Sequence, residues 1–145
     1  MLHRIDHIGI ITHRWDDASE ILLQKMGLEV DIPRTRMPEG NYFAPENTDI
    51  YFVAVGDGQT RIEVLIPRDT LSGIGRRLQK VGPGLHHIGY ASDDPQADAT
   101  ILRERGLEQI DLTSGGRGDL PGSQTPFFYP RSAGGILTEI VPLRD

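Results

Sequence analysis

The stretch Ile5-Asp6-His7-Ile8-Gly9 decides the architecture when read beside Leu85-His86-His87-Ile88-Gly89, because one chain states one motif twice. Internal repetition at a fixed period constrains a fold more than any single segment does. Twenty residues after His7 stands Gly27-Leu28-Glu29, and nineteen after His87 stands Gly106-Leu107-Glu108. Helical stretches fill the intervals. One spans about 16–26, with Ile21, Leu22 and Met26 at helical spacing; the other spans about 95–105, with Pro95 at a favoured first-turn position. Each half closes on a β-rich run ending in proline, Arg61-Ile62-Glu63-Val64-Leu65-Ile66-Pro67 and Ile136-Leu137-Thr138-Glu139-Ile140-Val141-Pro142. Four landmarks in the same order at near-equal spacing argue against chance.

Each half therefore reads as strand, helix, strand, strand, strand. The strands are expected near 4–12, 27–33, 49–56 and 60–66, then near 84–91, 107–112, 124–130 and 135–142. A linking helix near 71–80 ends at the Val81-Gly82-Pro83-Gly84 break. The fold class is α+β: two tandem βαβββ modules in one domain over 1–145, forming a mixed β-sheet cup with helices on its outer face. Module 1 covers about 1–68, the linker helix about 69–82 and module 2 about 83–145. Segments 34–48, with two Pro and a Gly, and 114–124, with four Gly and a Pro, take no regular element. Irregular segments of this length are more often functional than idle.

Composition narrows the function classes. The 145 residues are 37% hydrophobic and 25% charged, a globular balance. Lys plus Arg is 15 and Asp plus Glu 21, a formal charge of −6, which argues against nucleic acid as a partner. No apolar run approaches the ~20 residues of a membrane span. Met1-Leu2-His3-Arg4 leads into a strand-like segment without a signal-peptide apolar stretch, so a cytoplasmic location is expected. With no Cys there is no disulfide, thiol nucleophile or thiolate-bound zinc. Enzymatic chemistry would come from His, Asp, Glu, Arg, Lys, Tyr or a metal on hard ligands.

Strand alternation locates that chemistry. Residues i and i+2 share a face, so His7 and Glu63 oppose the apolar Ile8 and the Ile62, Val64, Ile66 stripe, while His87 opposes Ile88 and Glu139 opposes Ile140. Every half thus offers one His and one Glu away from its helices. Both glutamates lie in apolar β-branched runs, where an unpaired carboxylate is costly to bury. A divalent metal held by His7, Glu63, His87 and Glu139 would resolve that cost, leaving positions open for substrate. His3, His13 and His86 read as surface or packing histidines. Arg76, Arg77 and Lys80 read as a solvated helix face that a phosphate-bearing ligand could also use. Gly115-Gly116-Arg117-Gly118 is a weak phosphate-nest signal without the P-loop Lys.

These residues resemble the vicinal oxygen chelate superfamily over essentially the whole chain. Within it, Ser72-Gly73-Ile74-Gly75 running through Leu78-Gln79-Lys80-Val81-Gly82-Pro83-Gly84 into Leu85-His86-His87-Ile88 is similar to the linker helix and fifth strand of methylmalonyl-CoA epimerases. Tyr129-Pro130-Arg131-Ser132-Ala133-Gly134-Gly135-Ile136-Leu137-Thr138-Glu139 is similar to their Pro-Lys-x-x-x-Gly-Val-Leu-x-Glu pattern. The resemblance places His7, Glu63, His87 and Glu139 at metal-ligand positions, with Glu139 also a base. A second acid/base falls in the 31–48 segment, at Glu46 or in the competing register at Glu39. That segment is longer than in the epimerases, and Ile21-Leu22 replaces their aromatic pair.

The resemblance implies epimerisation of methylmalonyl-CoA, or a similar 2-substituted acyl-CoA, by α-proton abstraction through a metal-stabilised enolate. Co²⁺, Ni²⁺, Mn²⁺, Zn²⁺ and Mg²⁺ all suit such a site. Arg76, Arg77 and Lys80 would meet the CoA phosphates, and a homodimer is expected. The alternatives are a glyoxalase I-type lactoylglutathione lyase on the same ligands, or a metal-free drug-sequestering protein of the bleomycin-resistance type. An extradiol dioxygenase needs only two His and one carboxylate, which would make Glu63 surplus.

Overall fold

A run carrying four β-branched isoleucines, Ile5, Ile8, Ile10 and Ile11, forms the first strand, β1 (Leu2–Ile11). The computed structural model describes residues 1–110 and 125–144. The Gly115–Gly118 stretch singled out above lies outside them. Among the described residues no helix is long and apolar enough to cross a membrane. The chain divides into a central unit, Ile8–Leu85, and a terminal unit, Met1–His7 with His86–Asp145. β1 gives its first half to the terminal unit and its second half to the central one.

In the central unit, β1 is followed by α1 (Trp15–Ser19), which widens into a π-helical stretch over Glu20–Lys25. The amide of Met26 accordingly reaches back five residues to the Ile21 carbonyl at 2.9 Å. This departs from the regular helix expected over 16–26. The widened turn leaves Ile21 and Met26 exposed and buries only Leu22 of the three residues read as one apolar face. The strands β2 (Glu29–Val30), β3 (Asn41–Phe43), β4 (Thr48–Ala54) and β5 (Arg61–Pro67) follow, then α2 (Gly73–Val81). Their order is β2-β4-β5-β1, with β3 paired to β4. β4 and β5 run antiparallel, with Phe52 opposite Glu63.

Both faces of β5 are covered. Val64 packs with Ala18, Leu22, Tyr51 and Val53 under α1, and its neighbour Leu65 packs with Ile11, Ile74 and Leu78 under α2. α2 is strongly amphipathic, with Ile74 and Leu78 inward and Arg76, Arg77 and Lys80 exposed. The Ser72 hydroxyl caps it by accepting the Gly75 amide at 3.0 Å. Gly75 is also a close-approach position, since a Cβ there would stand 2.1 Å from the Asp69 carbonyl oxygen.

The 34–48 segment is held by side chains. Asn41 donates to the Arg34 carbonyl at 2.6 Å and accepts the Arg36 amide at 2.8 Å. Tyr51, stacked on Trp15 with ring centroids 4.1 Å apart, donates its hydroxyl to the Pro38 carbonyl at 2.8 Å. Its ring lies against Gly40, where a Cβ would approach to 2.7 Å. The short β3 hairpin has no sequence signature, because three residues carry too little periodicity.

In the terminal unit, β1 is followed by β6 (Gly84–Ser92, its first two residues in the central unit), α3 (Pro95–Glu104), β7 (Phe127–Phe128) and β8 (Thr138–Pro142). The order is β1-β6-β8-β7, with β8 parallel to β6 and antiparallel to β7. Asp94 caps α3 on the Ala97 amide at 3.1 Å with Pro95 in the first turn, and the helix packs Ala99 and Leu102 on Phe128 and Ile140. The strand expected over 107–112 shows one bridge, Gln109 to Phe128, among its described residues. β8 begins at Thr138 rather than 135 because Gly134 and Gly135 turn the chain at φ +71° and +89°.

Candidate metal centre

The terminal unit brings three of the sequence-predicted ligands together. His7 lies on β1, His87 on β6 and Glu139 on β8, and β6 and β8 pair with Gly89 opposite Glu139. His7 Nε2 is 2.9 Å from His87 Nε2 and 3.0 Å from Glu139 Oε1, and His87 Nε2 is 3.3 Å from the same oxygen. Atoms bound to one ion at ~2.0–2.2 Å, at octahedral or tetrahedral angles, stand roughly 2.8–3.6 Å apart. The three separations fall inside that range, and His7, His87 and Glu139 form a group able to hold a metal ion.

The rear atoms of all three side chains are also engaged. His7 Nδ1 is 2.8 Å from Asp6 Oδ2, and His87 Nδ1 is 2.8 Å from His86 Nδ1. Thr125 donates its hydroxyl to Glu139 Oε2 at 2.7 Å. A carboxylate accepts only, so the Asp6 contact places the proton of a neutral His7 on Nδ1 and turns the Nε2 lone pair inward. Such outer partners orient metal-binding side chains. Phe127, edge-on to the His87 ring at 6.1 Å between centroids, supplies an apolar wall.

Electrostatics agree with the geometry. Burial pushes the Glu139 carboxyl up, but in the metal-free protein His7 and His87, when their Nε2 atoms are protonated, donate to it and bring positive charge that outweighs burial and holds it well below its ordinary value of 4.5. Glu139 therefore stays an anion facing two imidazoles. That set of two nitrogen ligands and one oxygen ligand fits a divalent first-row ion.

The remaining predicted residues belong to the central unit. Glu63 is half-buried on β5. Glu46 ends a short 3-10 turn, Ala44–Glu46, and is only 5% exposed. Asn47 closes that turn at φ +47° and donates its amide to Asp69 Oδ2 at 2.7 Å. Glu39 is exposed between Pro38 and Gly40. Arg76, Arg77 and Lys80 line the outer side of α2. Asp6 and Thr125 carry no sequence signal for this role, and His86 reads in the sequence as a surface or packing residue. His86 is buried against the ring it adjoins.

Comparison with known proteins identifies the family. A hypothetical protein of Bacillus halodurans, solved by crystallography, is 25% identical over 98% of this chain and 95% of its own, with a TM-score of 0.78. A variant of Streptomyces coelicolor methylmalonyl-CoA epimerase, in complex with 2-nitronate-propionyl-CoA, is 29% identical over 100% of both chains, also at a TM-score of 0.78. The uncharacterized protein YqjC of Bacillus subtilis is 25% identical over 139 residues, 96% of this chain and 91% of its own. Residues 6–120 match the family model of the Glyoxalase/Bleomycin resistance protein/Dioxygenase superfamily, and the chain belongs to that superfamily.

Proposed function

We propose that the protein is a metal-dependent epimerase of a 2-substituted acyl-CoA, with methylmalonyl-CoA the first substrate to test. The observation that carries this reading is the triangle of His7 Nε2, His87 Nε2 and Glu139 Oε1, in a chain 29% identical end to end to a methylmalonyl-CoA epimerase. A divalent ion bound there would supply Lewis-acid polarisation of a carbonyl oxygen, lowering the barrier to forming an enolate beside it.

The chain's own residues then have a defined task. An α-carbon must lose its proton to a carboxylate on one face and regain one from the other, with no net redox change. Glu139, kept ionised by the two imidazoles, is the base proposed for one face. Glu46 is proposed for the opposite face because it is buried, whereas Glu39 is exposed. Glu63 is proposed as a fourth ligand on its repeat-matched position in the sequence alone. Arg76, Arg77 and Lys80 are proposed to meet substrate phosphates, and the working assembly is proposed to be a homodimer.

The test is incubation of cobalt-loaded protein with methylmalonyl-CoA in D₂O. Exchange at the α-carbon together with loss of stereochemical purity supports the reading. Absence of both, with efficient isomerisation of the methylglyoxal–glutathione hemithioacetal, would transfer the protein to the glyoxalase branch. Purification of a folded protein that binds no divalent ion would favour a sequestering role.

A further inference from the structure

We infer that Asp6 and His86 are paired positioning residues, each fixing the ring of the metal-facing histidine that follows it in the sequence. The inference rests on the reading of His7, His87 and Glu139 as a metal centre, and it gives a task to the residue that precedes the histidine in each repeat. In each half of the chain the residue before the His is buried, and in each it stands 2.8 Å from the following ring's Nδ1. The two halves use different chemistry for the same contact. Asp6 brings a carboxylate, which can only accept, so His7 donates from Nδ1. His86 brings a second imidazole, whose Nδ1 accepts from His87 when its own proton sits on Nε2. Both arrangements leave Nε2 of the metal-facing ring without a proton, and both Nε2 atoms lie in the triangle with Glu139 Oε1.

Chemistry also makes the two rings unequal. An anionic partner raises the electron density of the ring it accepts from more than a neutral one does. His7 is thereby the stronger donor of the pair, and loss of the Asp6 acceptor should weaken ion binding more than loss of the His86 acceptor. A packing role predicts something else: any residue of similar volume would serve at either position.

The experiment uses Co²⁺ as the probe, with affinity measured by chelator competition and coordination followed in the visible absorption spectrum. Metal-free thermal unfolding is recorded for every variant. Wild-type protein should bind one Co²⁺; if it binds none, the metal-centre reading fails and this inference falls with it. Given wild-type binding, Asp6→Leu and His86→Leu should each weaken affinity by the roughly 10- to 100-fold associated with lost outer-sphere partners. Asp6→Asn and His86→Gln, which keep an acceptor, should restore most of it. The Co²⁺ spectrum should shift in the leucine variants and return in the conservative ones. Equal affinity of wild type, Asp6→Leu and His86→Leu would overturn the inference while leaving the metal centre standing. So would weakening that merely follows metal-free stability, with no rescue by Asn or Gln. Should a leucine variant fail to fold, the Asp6→Ala and His86→Ala proteins carry the same comparison.

Discussion

The imidazole of His7 lies directly over the α-carbon of Gly89. A methyl group added at Gly89 would stand 2.2 Å from His7 Cε1 and 2.6 Å from Nε2, well inside contact distance. The glycine of the repeated motif therefore makes room for the histidine of the other repeat. Gly89→Ala should push the ring off its position and weaken Co²⁺ binding by at least tenfold, with the ~1–3 kcal/mol loss of stability typical of overpacking. Chelator competition and thermal unfolding measure the two effects. An unchanged affinity would mean that the ring has slack the structure does not show.

Removing a ligand should cost the metal while leaving the fold. His87→Ala and Glu139→Ala proteins are expected to be folded and to lose stoichiometric metal on elemental analysis after dialysis. Full occupancy in both would refute the centre. Glu63→Ala, tested in parallel, decides the fourth position: reduced affinity supports the argument from repeat symmetry, and wild-type affinity restricts the centre to three protein ligands.

Strand alternation sets how much of this site the sequence alone reveals. His7, His87 and Glu139 are legible in the sequence because Cβ direction alternates strictly along a strand, and the repeat aligns them. The same alternation hides Asp6 and His86. Alternation directs their Cβ atoms to the face opposite His7 and His87, yet polar atoms beyond Cβ can meet beside the strand, as both 2.8 Å contacts do. A helix over 16–26 is legible in the sequence but its register is not, since a π-helical stretch obeys no 3.6-residue period. The β3 hairpin and the buried placement of Glu46 depend on Asn41, Tyr51 and Asn47 side chains bonding to distant backbone or side-chain atoms, which no local pattern encodes.

The acid side of the stability profile should carry the mark of Glu139. Burial raises its pKa and the two imidazoles lower it further still, so its folded value lies below the unfolded 4.5. A depressed carboxylate contributes stability that is complete above the unfolded value and is lost as pH falls toward the folded one. Metal-free wild type should therefore exceed Glu139→Gln in stability near neutrality. That advantage should shrink as pH drops from about 5 to about 3. Urea unfolding at several pH values measures it. A constant difference across that window would show that the carboxylate is not held ionised by its neighbours.

Phosphate contacts on α2 would act far from the reacting carbon. Replacing Arg76, Arg77 and Lys80 together by Gln should raise KM for an acyl-CoA severalfold or more and leave kcat nearly unchanged, because such contacts are the same in ground and transition states. The exposed side chains make the substitution structurally mild. Added salt should weaken the wild type more than the variant. A fall in kcat without a change in KM would remove these residues from substrate binding.

The second base separates the two registers of the 31–48 segment. A planar enolate is reprotonated on the opposite face only if a donor stands there, and Glu139 is tied to one side by His7, His87 and Thr125. Glu46 is the stronger candidate because it is buried at the end of a turn clamped by Asn47 and Asp69, whereas Glu39 faces solvent. Glu46→Gln keeps the shape of the side chain and removes its capacity to take a proton. Epimerisation should drop by at least the ~10²-fold associated with a lost acid/base. Deuterium should still wash into one epimer from D₂O, because Glu139 continues to work its own face. Glu39→Gln should be close to wild type in both assays. A dead Glu39→Gln beside an active Glu46→Gln would move the base by one Pro-Glu pair. Full activity in both would break the two-base mechanism while leaving the metal centre untouched.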